Sequence, residues 1–221
     1  MTNPTILKSS IAKKVAMALS GLFLITFLSI HFFVNLTSVF SEDLFNMMAH
    51  FMGNNPIIQF VMQPILIIGV LFHFIMGFVL DFKNRSSRPI AYAKYNGASN
   101  ASWSSRNMII SGIVVLSFLG LHFYDFWVPE MAYKYVEANP LNAQRYYHEL
   151  GEKFESPMRT AIYSFSFFFL FLHLWHGFNS SFQSIGVNNK YSKAIHKFGY
   201  AFAIIVPFGF IFIALFHHFN H

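Results

Sequence analysis

Residues 160–182 read TAIYSFSFFFLFLHLWHGFNSSF, a run without Asp, Glu, Lys or Arg that holds two histidines, His173 and His176. A helix needs about 20 apolar residues to cross the hydrocarbon core of a bilayer. Working outward from this run, four more uncharged stretches occupy 15–37, 57–80, 108–123 and 198–216. With their flanks, helices are expected over 15–37, 57–82, 106–127, 158–182 and 198–218, in one membrane domain covering 1–221. Only 11% of the 221 residues are charged, where soluble domains carry about 25%. A soluble enzyme and a disordered chain are therefore excluded. The first run is too long and too poorly flanked for a cleaved signal peptide. Pro64 and Pro207 lie inside two runs and are expected to kink them, which membrane bundles tolerate. No repeat of 20–50 residues is visible. With no Cys, the chain offers no disulfide, no Cys-bound zinc and no Cys-ligated iron–sulfur cluster.

The net charge of +6 reads as topology and gives no reason to expect nucleic acid. Lys8, Lys13, Lys14, Lys83, Arg85, Arg88, Lys94, Arg106, Lys190, Lys193 and Lys197 fall on one side, and only Lys134, Arg145, Lys153 and Arg159 on the other. Positive residues collect in the cytoplasm, so the N-terminus is expected there and the C-terminus outside. The polar stretch 83–106 is expected to be irregular. In the long external stretch 129–157, segments 130–137 and 141–154 are expected as short surface helices.

Eleven histidines in so apolar a chain need a reason. His31, His73, His122 and His173 lie one each in the first four spans, and His176 is an alternative to His173 in the fourth. One such histidine reads as packing glue; four on successive helices read as a functional set. Counted from the cytoplasmic ends of their spans, His31 and His122 share one level and His73 and His173 another. The levels differ by about 7 residues, roughly 10 Å of helix. Two imidazoles facing each other across a bundle can hold a haem iron from both sides, leaving no position for oxygen. The expected fold is an all-α bundle of five transmembrane helices holding two stacked b haems, an outer one on His31 and His122 and an inner one on His73 and His173. Gly69 and Gly77 stand one turn either side of His73, and Gly177 one turn after His173; they are candidates for packing against a flat macrocycle. A zinc site would bring three or four ligands to one depth, which these levels do not. A chelate of His173 with His176 is a weaker alternative. His217, His218 and His221 are expected at the membrane interface.

These residues resemble the five-helix dihaem cytochrome b membrane subunit of succinate dehydrogenases and fumarate reductases. The resemblance rests on Ser9-Ser10-Ile11-Ala12-Lys13-Lys14 with Ser20-Gly21, on His31-Phe-Phe-Val-Asn35, His73-x3-Gly77, Leu121-His122 and Leu172-His173-Leu174-Trp175-His176-Gly177-Phe178, in order across the chain. It implies a bacterial inner-membrane anchor of a tricarboxylic acid cycle or respiratory complex. A flavoprotein subunit and an iron–sulfur subunit would sit on its cytoplasmic face, and a quinone, commonly menaquinone in dihaem members, would exchange electrons with it. Succinate would be handled by a partner. Glu42, Asp43 and His50, after the first span, are the quinone-site candidates. Some relatives place a proton-carrying Glu two residues before the fourth-helix ligand; here that position is Phe171, which puts the route in doubt.

Two other readings compete. The cytochrome b of another quinone-linked oxidoreductase would share haems and topology, but one His on each of four successive helices fits the succinate family better. A haem-free transporter would favour midplane carboxylates or broken helices, and no acidic residue lies in the five apolar runs.

Overall fold

The computed structural model describes residues 9–86, 106–187 and 189–220. Among the described residues there are seven helices and no strand. They are α1 (Ser10–Thr37), α2 (Glu42–Asn54), α3 (Ile58–Ser86), α4 (Met108–Val136), α5 (Arg145–Glu155), α6 (Pro157–Ser184) and α7 (Ser192–Phe219). Helices α1, α3, α4, α6 and α7 have 28 or 29 residues and are apolar enough to cross a membrane. At 1.5 Å per residue each is about 42 Å long, more than the ~30 Å hydrocarbon core. The architecture is that of a multi-pass membrane bundle. One end, the near end, holds the start of α1; the far end carries α2 and α5.

Packing between the long helices depends on small residues, since lipid supplies no hydrophobic drive between them. Helix α7 fits against α6 and α1 through fully buried Ala203 and Ala214. A Cβ on Gly209 would lie 2.4 Å from the Phe32 ring of α1, so only glycine lets these helices approach so closely. Helix α3 sits at the rim: no residue of its apolar stretch is buried within the chain, and Phe60, Ile65, Ile68, Phe72, Ile75 and Val79 are exposed along it.

Three local outcomes differ from expectation. Helix α4 does not stop near 127. It continues to Val136 and absorbs all but the last residue of 130–137, which form no separate surface helix. Pro129 is the reason for the form it takes: proline has no N–H for the Asp125 carbonyl and its ring crowds that turn. Wider turns flank it, Phe123–Trp127 and Ala132–Val136, in which bonds span five residues, as from Val128 N–H to the Phe123 carbonyl. Pro64 is accommodated the same way, by a widened turn at Ile58–Met62. The connection after α1 is helix α2. The Ser41 side chain accepts from Leu44 N–H at 3.2 Å, and Glu42 and Asp43 occupy the first turn, where carboxylates complement the helix dipole. The second external helix begins at Arg145, not 141, and buries Leu150 and Phe154. The irregular segment expected over 83–106 lies largely outside the described residues, as α3 runs on to Ser86.

Candidate functional site

Helices α1, α3, α4 and α6 each bring one histidine into the space between them. The rings of His31 and His122 face each other with centroids 5.7 Å apart and planes at 83°. Those of His73 and His173 are 6.3 Å apart with planes at 70°. Two imidazoles gripping one metal ion from opposite sides, with metal–nitrogen bonds of about 2.0–2.1 Å, have centroids about 6 Å apart. Both pairs match that spacing. Among the described residues no three His, Asp or Glu side chains converge into a metal site; the histidines come in twos.

The pairs line one cavity of about 1220 Å³, with Lys14, Asn84 and Arg106 at its near end and Glu130, Glu149 and Lys153 at its far end. That exceeds the ~300–1,000 Å³ of an ordinary small-molecule pocket. His73 and His173 meet α1 and α4 at Ser20 and Ser111. Each serine is 11 residues before the histidine of the far pair, about 16 Å of helix. This is more than the roughly 10 Å inferred from span ends.

The near pair is held by hydroxyls that the sequence reading passed over. Ser20 Oγ lies 2.9 Å from His73 Nδ1, and Ser111 Oγ 3.2 Å from His173 Nδ1. Each hydroxyl already donates to a helix carbonyl, Ser20 to Met17 at 2.8 Å and Ser111 to Met108 at 2.9 Å. A hydroxyl has one proton; with it given to the carbonyl, the hydroxyl accepts from the imidazole Nδ1–H. The remaining ring nitrogen, Nε2, then carries its lone pair, the form a metal requires. The neighbouring glycines make room: a Cβ on Gly21 would stand 3.3 Å from His73 Cε1, and one on Gly112 3.6 Å from His173 Cε1. A readable signal existed, since Met-x2-Ser-Gly precedes both His31 and His122 at the same distance.

The far pair is caged by aromatic rings. Phe27 stacks on His31 at 5.5 Å, and Phe118 and Phe126 stand 5.7 and 5.2 Å from His122. His122 Nδ1 is buried without a hydrogen-bond partner, which a native interior rarely tolerates without a functional reason. These residues fit the expected cofactor: paired imidazoles at the right spacing, a fixed tautomer in one pair, and a roomy apolar cavity joining them.

The other candidates fall as follows. His176 lines the cavity, but it is His173 whose ring faces His73. Gly77 and Gly177 line the cavity; Gly69 does not, and a Cβ there would meet the Phe23 ring at 2.7 Å. Glu42 and Asp43 are exposed on the first turn of α2. His50 Nδ1 accepts from Asn54 at 3.1 Å, and its ring lies 6.2 Å from Tyr146. None of these three lines the cavity. Phe171 turns to Trp175 and to Phe208 of α7. His217, in the last turn of α7, is buried and bonds Ser38 Oγ at 2.9 Å, tying α7 to α1. His221 lies outside the described residues.

Polar groups at the far end were also missed. Asp125, 3% exposed, accepts from Arg159 Nη1 at 2.8 and 3.0 Å and from the Tyr163 hydroxyl at 2.8 Å. Glu130 pairs with Lys134 and Arg145, and Arg145 also holds Glu149 at 2.6 Å. The Arg145 guanidinium lies 4.1 Å over the Tyr133 ring and 4.4 Å over that of Tyr146. Burial, and then the charge of Glu130, push the Tyr146 phenol up from its ordinary pKa.

The chain matches no family model, no curated protein and no solved structure.

Proposed function

We propose that this chain is a dihaem cytochrome b that anchors a succinate:quinone oxidoreductase in a bacterial inner membrane. The observation that carries the reading is the stacking of two opposed imidazole pairs along one cavity, each at the spacing of a shared metal ion. Bound between these imidazole pairs, two b haems would supply one-electron transfer with no position left for oxygen.

The chain's own residues do the rest. His31 with His122, and His73 with His173, would hold the two haem irons. Phe27, Phe118 and Phe126 keep water from the far pair, which controls local polarity and so redox potential. Lys14 and Arg106 line the near end, where they would meet carboxylates of the cofactor. The excess of Lys and Arg at that end supports a cytoplasmic N-terminus and docking of the flavoprotein and iron–sulfur subunits there. A quinone would then react at the far end, where Asp125, Glu130 and Lys153 line the cavity and offer groups for proton exchange. Glu42, Asp43 and His50 stand farther from it.

Purification of the full chain from its native membrane, with identification of bound subunits, tests the assignment to the succinate complex. A flavoprotein and an iron–sulfur protein should co-purify, and added succinate should reduce the b-type absorption of the preparation. Co-purification of a nitrate- or hydrogen-oxidising partner, with absorption that succinate leaves oxidised, would instead place the chain in another quinone-linked enzyme.

A further inference from the structure

Ser20 and Ser111 do more than fill space between helices. We propose that they are positioning residues that set the proton on Nδ1 of His73 and His173 and thereby tune the near metal site apart from the far one; this rests on the haem reading above. The two contacts are built alike. Each serine spends its proton on the carbonyl three residues before it, each accepts from the histidine of the neighbouring helix, and each is followed by a glycine that admits the ring. Among the described residues the far pair has no such acceptor. Asn35 Nδ2 stands 3.5 Å from both ring nitrogens of His31, and His122 Nδ1 has no partner. An N–H donated away from the metal makes the ligating nitrogen more basic and tightens its hold, and loss of such a partner typically costs about 10–100-fold in metal affinity. A more basic ligand favours the oxidised, more positive iron. The serines therefore lower the potential of the near haem and leave that of the far haem alone.

The test is a potentiometric titration of the purified full-length protein, with the two haems resolved spectroscopically, in Ser20→Ala, Ser111→Ala, Ser→Thr and Ser→Cys variants at both positions. The Ala variants should raise the near-haem midpoint, weaken retention of that haem by about 10–100-fold, and leave the far haem unchanged. Thr, which keeps the hydroxyl, should restore both properties. Cys, of similar size but a weak acceptor, should shift the midpoint as Ala does even if the Ala chains fail to accumulate. Unchanged midpoints in the Ala and Cys variants, or equal shifts of both haems, would overturn the proposal while leaving the haem reading intact. A wild-type protein without haem would overturn that reading itself, and this inference with it.

Discussion

His31 and His122 stand 91 positions apart in the chain, and their rings face each other 5.7 Å apart. The same interval separates Met17 from Met108, Ser20 from Ser111 and Gly21 from Gly112, while His73 and Gly77 precede His173 and Gly177 by 100. The contacts repeat with the residues. Ser20 meets His73 as Ser111 meets His173, and the Met17 and Met108 methyls cover Gly77 and Gly177. The pair α1 with α3 is thus matched by α4 with α6 about an approximate two-fold axis along the bundle. A two-fold brings equivalent side chains together across its axis. That is why both histidine pairs fall on one line, and why two sites are stacked where four unrelated histidines would scatter.

The pairing predicts which substitutions act together. His73→Ala and His173→Ala should each remove the near haem and keep the far one; His31→Ala and His122→Ala should do the reverse. His176→Ala should retain both. Haem quantitation and reduced-minus-oxidised spectra of the variants check this. Joint loss of one haem in His31→Ala and His73→Ala would break the scheme.

Gly112 and Gly21 should resist enlargement. Leu at either position would drive side-chain atoms into His173 or His73, given the 3.6 and 3.3 Å already separating a Cβ from those rings. Near-haem occupancy should fall several-fold in each variant, with far-haem occupancy kept. Gly69→Ala meets the Phe23 ring instead and should cost about 1–3 kcal/mol of stability through overpacking, with both haems retained.

Much of this was legible in the chain itself. The spans were readable because charge is absent from five long runs, and the levels because one histidine falls in each of four. Other features needed the fold. Ser41-Glu42-Asp43 is a helix start, yet its polar character reads equally as loop. Pro129 and Glu130 look like the end of a span, whereas the widened turns at Phe123–Trp127 and Ala132–Val136 carry α4 through them. The internal symmetry escaped because its period is far longer than that of a solenoid repeat and differs between the helices of each pair. Asp125 could not be matched to Arg159 and Tyr163 before α4 and α6 were packed together.

That buried carboxylate gives a stability prediction. Removing one partner of a buried pair costs about 3–5 kcal/mol. The Arg159 side chain is 31% exposed, so water screens part of the loss. Asp125→Asn should cost about 2 kcal/mol on that scale, read as a lower unfolding midpoint in detergent. Asp125→Asn with Arg159→Gln should recover part of it. A single variant as stable as the wild type would mean the pair contributes nothing.

The central claim is that each opposed imidazole pair grips one iron. Pyridine haemochrome analysis of the purified chain, set against its protein content, measures this most directly. Two non-covalently bound b haems per chain are predicted; one haem or none per chain would contradict the account.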